Sequence, residues 1–301
     1  MEHFADRLFA ACRARGGPVC VGLDPVSGRL PDELRVAGDE LAGVEGFCLG
    51  VIDAVAGHVP CVKVQAACFE RYHAAGFNVM FRVLAAARAA GLIVILDAKR
   101  GDIGISSEHY AAAFLGPDAP TDALTVHSYL GDDSLTPYLA AAAQHGKGVF
   151  PMVRTSNPGG ETLQALELAD GRSISDAVAD MVARLGDAEP AYLAPGCGYS
   201  LLGAVVGATK PAAAATLRAR MKRQIFLVPG FGAQGAGPED VRACFNADTT
   251  GAIISASRSV LYAFAEAGPG TAWQTSVADA ARRFRDDIAS LLESNDARAQ
   301  T

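Results

Sequence analysis

No stretch of the 301-residue sequence approaches the roughly 20 consecutive apolar residues that a membrane-crossing helix needs. Met1 to Arg15 mixes charged and apolar residues at helical spacing, without the continuous apolar stretch of a secretion signal. Zinc spacings are missing, since the six histidines form no H-x-x-x-H or H-E-x-x-H pair. The seven cysteines (Cys12, Cys20, Cys48, Cys61, Cys68, Cys197, Cys244) are scattered and form no C-x-x-C. They read as free thiols in a reducing cytoplasm rather than as a disulfide framework. Positive charge is in deficit, leaving a net charge of −7, which disfavours a nucleic-acid or acidic-membrane partner. A local anion site remains compatible with that balance. Tryptophan occurs once, and no internal repeat is visible.

Short apolar runs recur along the chain, each ending in a polar or glycine-rich turn. They are Val19–Leu23, Cys61–Val64, Leu92–Leu96, Ala123–Val126, Val149–Val153, Ile225–Val228 and Ala252–Ile254, with an eighth at Ala204–Val206 or Ala191–Ala194. Runs rich in β-branched residues read as strands buried on both faces, the mark of a parallel sheet. Alanine-rich helical stretches such as Tyr72–Ala90 and Ala212–Met221 lie between them. Eight strands alternating with helices predict a (β/α)8 barrel, read here as one domain over residues 1–301. An N-terminal helix over 1–15, an insertion of helix and loop over 163–190, and a polar, fraying tail over about 290–301 complete the expectation.

In such a barrel the active site forms where the strands end. The third run continues as Asp97-Ala98-Lys99-Arg100-Gly101-Asp102. Residues two apart on a strand share a face, so Asp97 and Lys99 point together into the barrel mouth and Arg100 points away. Lys63 on the second run reaches the same space, and Asp102 lies just beyond, giving an expected Lys–Asp–Lys–Asp array. A structural ion-pair network is the plainer alternative, but so dense a cluster on apolar strands carries a desolvation cost that calls for a reason.

Pro229-Gly230-Phe231-Gly232-Ala233-Gln234-Gly235 contains a literal G-x-G-x-x-G, with Asp248 near the spacing of a ribose-binding acid. A dinucleotide fold needs a βαβαβ unit running onward, for which too little chain remains. The same glycines serve a barrel as a loop of exposed N–H groups for phosphate. Arg258, after the eighth run, sits where barrels commonly hold phosphate. Asp24 is placed to accept from a sugar hydroxyl, or is a turn residue before Pro25. Thr155-Ser156-Asn157 either meets a heterocycle or caps the next helix. His127 reads more readily as a supporting histidine than as a base.

Together these residues name a family. Asp97-Ala98-Lys99-Arg100-Gly101-Asp102-Ile103-Gly104 resembles the signature of the orotidine 5′-phosphate decarboxylases. Val62-Lys63-Val64-Gln65, Tyr129-Leu130-Gly131, Val153-Arg154-Thr155-Ser156-Asn157-Pro158, Gly203 to Thr209 and the Pro229–Gly235 loop are similar to that family's longer bacterial subgroup. The resemblance runs from Val19 to Phe264, with the motifs in consistent order. It implies a lyase that converts orotidine 5′-monophosphate to uridine 5′-monophosphate and carbon dioxide without a cofactor, at the last step of de novo UMP synthesis. It further implies that Lys99 protonates C6 and Asp97 sits beside the substrate carboxylate. Lys63 and Asp24 would contact the ribose and the charge array, Ser156 the pyrimidine, and Gln234 and Arg258 the 5′-phosphate. Asp102, with Ile103 and Ser106, would enter the site of a second subunit, making a homodimer. One departure is His127-Ser128 where the subgroup has Asn-Pro. Magnesium-dependent sugar-phosphate enzymes share the strand-three pattern but resemble Glu where this chain has Lys63. A non-catalytic nucleotide sensor would need only the Arg258 side.

Overall fold

The structure is a computed structural model that describes residues 1–35, 38–232, 237–267 and 271–299. Eight parallel strands close into a barrel in sequence order: β1 (Val19–Leu23), β2 (Cys61–Gln65), β3 (Ile93–Arg100), β4 (Ala123–Val126), β5 (Gly148–Arg154), β6 (Ala204–Val206), β7 (Phe226–Val228) and β8 (Ala252–Ala256), with β1 paired to β8. The eighth run is therefore Ala204–Val206, while 190–192 forms a 3-10 turn inside the insertion. The insertion itself holds two helices, Glu161–Gln164 and Ile174–Gly186. Helical backbone extends through the tail to Ala299.

Alternation along each strand divides the side chains between two cores. Val62, Val64, Val94, Leu96, Leu124 and Val126 face the helical ring. Cys20, Cys61, Ile93, Ile95, Ala123, Phe150, Val205, Leu227 and Ile253 fill the barrel interior. The inward positions become polar toward the strand ends: Lys63 and Gln65 follow Cys61, Asp97 follows Ile95, Thr125 follows Ala123, and Ser255 follows Ile253. Apolar packing thus occupies the lower barrel and leaves the upper layer to chemistry.

The lower end is stoppered by helix α1 (Phe4–Arg15). His3 caps it by accepting the Ala5 N–H, and Gly16, in the left-handed conformation at φ 79°, ends it. Phe4 inserts edge-on against Phe150, with ring centroids 5.8 Å apart. Gly148 permits this, because a Cβ there would lie 2.5 Å from the Phe4 ring. Arg7 ties the helix down through Asp122 at 2.6 Å.

One strand departs from regular geometry. β3 pairs with β4 through Ile95–Ala123 and Leu96–Leu124, then resumes at Arg100–Val126. Asp97, Ala98 and Lys99 therefore bulge opposite the single residue Thr125. Lys99 sits in the left-handed region at φ 48°.

Truncating the stopper should cost what a large core aromatic costs. Phe4→Ala is expected to lower the unfolding free energy by about 3–5 kcal/mol in a urea titration. A loss under about 1 kcal/mol would mean that α1 rests on the barrel without sealing it.

Candidate active site

A cavity of about 290 Å³ opens at the carboxyl ends of the strands. Asp24, Lys63, Asp97, Lys99, Ser156 and Arg258 all line it, so six of the expected residues converge. Gln65, Thr125, Asn157, Ser255 and Ser257 join them. Gln234 lies outside the described residues.

Asp97 is the hub. Its Oδ2 accepts from Lys63 Nζ at 2.8 Å and from Gln65 Nε2 at 3.2 Å. Its Oδ1 accepts from Lys99 Nζ at 2.5 Å and from Thr125 Oγ1 at 2.9 Å. Burial opposes ionisation of this carboxyl, but Lys63 and Lys99 outweigh it and hold the pKa well below the usual carboxylate range. Burial would likewise discharge Lys63, yet Asp24 and Asp97 hold its pKa above the ordinary lysine value. Lys63 Nζ is 3.7 Å from Asp24 Oδ1, an oxygen that is buried without a hydrogen-bond partner. The Lys99 side chain remains 40% exposed, against 7% for Lys63, so Lys99 is the cation presented to the cavity.

The pairing of Asp97 with Lys99 was expected from strand alternation. The bulge and the positive φ of Lys99 correct that reason: the two side chains meet because the backbone turns, not because the strand runs on. Arg100 does point away, bonding Glu70 and lying over Tyr110 and Phe114.

Asp102 corrects the array. It does not line this chain's cavity; its Oδ1 accepts instead from the neighbouring Ile103 N–H at 2.8 Å. Ile103 and Ser106 also lie outside the cavity. Ile103, Ile105, Tyr129 and Leu130 are exposed on the loops and helix that follow β3 and β4. His127 lies outside the cavity too, with its N–H bonded to Arg100 O and its Cβ where a Gly101 side chain would fall.

The Thr155–Asn157 loop is held from two sides. Gln164 Oε1 accepts the Thr155 N–H at 2.8 Å, and Gln164 Nε2 donates to the Thr155 hydroxyl at 2.9 Å. Gly207 passes so close that a Cβ would lie 2.9 Å from Ser156 N. Pro229, Gly230, Phe231 and Arg258 also line the cavity. Gly230 adopts φ 105°, a conformation that suits glycine.

Lys63→Met should expose the coupling. Asp97, ionised with a folded pKa below its unfolded one, contributes stability above about pH 4 that fades as pH falls toward the folded value. Losing Lys63 raises the folded value, so acid unfolding should move to higher pH. At neutral pH the loss should approach about 3 kcal/mol, the low end for a broken buried pair, because Lys99 remains. Far-UV dichroism across pH reads both, and an unmoved acid limb would contradict the assignment of Lys63 as a partner of Asp97.

The model of the Orotidine 5'-phosphate decarboxylase / HUMPS family matches residues 17–269. The chain is 42% identical to the orotidine 5'-phosphate decarboxylase of Rhodopirellula baltica, across 96% of this chain and 99% of the relative. It is 43% identical to that of Deinococcus radiodurans, across 86% and 89%. The structure of Leishmania donovani OMP decarboxylase superposes with a TM-score of 0.77 at 30% identity, covering 97% of this chain and 99% of the other.

Proposed function

Because the chain belongs to the orotidine 5′-phosphate decarboxylase / HUMPS family and has the activity of its decarboxylase relatives, we propose that Lys99 is the acid of the reaction. The reaction turns orotidine 5′-monophosphate into uridine 5′-monophosphate and carbon dioxide, the last step of de novo UMP synthesis. When the C6–carboxylate bond breaks, its electron pair stays on C6 with no adjacent sink. Lys99, the one cavity lysine presented to the open space, moves a proton from Nζ to C6 and is recharged from water. The observation that carries this reading is the Lys63–Asp97–Lys99 contact set at the cavity wall.

Four donors saturate Asp97, so it stays a fixed negative charge beside the Lys99 ammonium. A substrate carboxylate placed beside it is repelled, and the repulsion ends as carbon dioxide departs. On this reading Asp24 and Lys63 meet the ribose hydroxyls, Ser156 the pyrimidine, and Arg258 the 5′-phosphate, all of them residues that line the cavity. Gln234 would complete the phosphate grip. A charge contact at about 4 Å and an effective dielectric of about 20 is worth about 4 kcal/mol. Enzymes supply roughly 8–23 kcal/mol, so Lys99 acts together with binding energy drawn from the remote phosphate.

We place Asp102, Ile103 and Ser106 in the site of a second subunit. Their position outside this chain's own cavity supports it, as do the exposed Ile103, Ile105, Tyr129 and Leu130 beside them. The seven free cysteines suit the cytoplasm, where thiols stay reduced.

The ultraviolet absorbance of orotidine 5′-monophosphate, followed with a chelator present, tests the reading. Wild type should turn over undiminished, and Lys99→Ala should fall on the order of a thousandfold, the equivalent of about 4 kcal/mol. Activity lost to the chelator would redirect the site to metal-assisted chemistry of the sugar-phosphate kind. Binding without turnover would leave a nucleotide sensor.

Subunit sharing has its own test. Lys99→Ala and Asp102→Asn, each inactive alone, should recover activity when unfolded and refolded together, because a mixed dimer holds one intact site. No recovery, with dimers present by sedimentation, would place Asp102 outside the reaction.

A further inference from the structure

Thr125 is the single β4 residue that faces the three-residue bulge of β3. It is 1% exposed and lies on the inward face above Ala123. A threonine in an apolar strand is ordinarily a β-former that fills space. Its hydroxyl here does more. Oγ1 accepts the backbone N–H of Lys99 at 3.0 Å and donates its one proton to Asp97 Oδ1 at 2.9 Å. The same Oδ1 receives Lys99 Nζ. One hydroxyl therefore grips Lys99 by its backbone and, through Asp97, by its ammonium.

We propose that Thr125 is a positioning residue for decarboxylation, holding Lys99 where its ammonium can meet C6. This rests on Lys99 being the acid. The backbone at Lys99 is what makes the hold necessary. A non-glycine residue at φ 48° has left the favoured regions, a strain that its surroundings must offset. At the bulge the ladder pairing of β3 with β4 is interrupted, and the Thr125 hydroxyl takes up the Lys99 N–H there. With its proton spent on Asp97, Thr125 has none to donate to substrate, so its effect reaches the reaction through Lys99. Gln65 plays no equivalent part, because it binds only the other carboxylate oxygen, the one shared with Lys63.

Thr125→Val keeps the shape and removes the hydroxyl. It leaves the Lys99 N–H unpaired and takes one donor from Asp97 Oδ1. A displacement of about 1 Å at a reacting group costs on the order of a hundredfold in rate. Thr125→Val should therefore lower kcat by about 10- to 100-fold while KM and the affinity for the product, uridine 5′-monophosphate, move by less than about threefold. Thr125→Ser, which restores the hydroxyl, should return kcat to within about threefold of wild type. A space-filling role would give the opposite order, since valine fills the site better than serine. If the valine variant does not fold, Thr125→Ala is read by the same criteria.

The inference is overturned if the folded valine variant keeps kcat within threefold, if product affinity falls in step with kcat, or if serine fails to rescue. Lys99→Ala, assayed alongside, separates the two levels. Should it keep its turnover, the acid assignment fails; should it lose turnover while Thr125→Val does not, only the role of Thr125 fails.

Discussion

One carboxylate organises the upper barrel. Asp97 accepts from Lys63, Gln65, Lys99 and Thr125, which reach it from β2, β3 and β4. Neither charge could be buried without the other. Lys63 alone would discharge, and Asp97 alone would take up a proton. Held together they form a rigid polar layer on an apolar barrel. A rigid layer suits a reaction in which charge appears on a carbon that cannot delocalise it, because fixed dipoles and charges need no rearrangement when the charge arrives. The same economy accounts for a chain of net charge −7 that nonetheless lines its cavity with Lys63, Lys99 and Arg258. Local placement, and not overall charge, decides what enters.

The strands were legible because seven of the eight are bounded apolar runs whose neighbours are polar turns. β3, one of the seven, outran its apolar stretch at its far end. Its apolar run stops at Leu96, yet pairing continues to Arg100, because a strand that rises into a solvated mouth can carry charge without leaving the ladder. β6 is only Ala204–Val206, and a run that short has little to distinguish it from its competitor at 191–194. The two differ in what receives their backbone groups, which no local pattern encodes. The helix at His73–Ala89 was plain from its spacing of alanines and leucines.

Within the site, Lys63, Asp97, Lys99 and Arg258 were visible as charges where charge is costly. Asp102 was expected on the loop beyond Lys99, and the loop carries it out of the cavity that Asp97 and Lys99 line; the second subunit's site that it would enter is not encoded in local pattern. Thr125 escaped notice for a different reason. Threonine in a strand is unremarkable, and its meaning comes from the bulge opposite, which arises in β3. A period-of-two reading of Ala123 and Thr125 beside Asp97 would have flagged it.

Helix α1 seals the floor of the barrel with Phe4, Ala5 and Leu8 packed under the interior residues. The reaction chamber is consequently a cul-de-sac. Substrate and both products then use the open end of the barrel, and departure becomes a queue. If Asp97 and Lys99 act as proposed, a small, neutral gas forms deep beside them, with the phosphate-anchored nucleotide on the solvent side. Carbon dioxide must slip past the nucleotide or wait for it to go. The longer it waits, the more often the newly made carbanion can recapture it before a proton arrives, which on the proposed assignment comes from Lys99. Sealing the floor thus sets a race between proton delivery and escape, and a lysine already in contact range is how such an enclosure keeps the reaction moving forward.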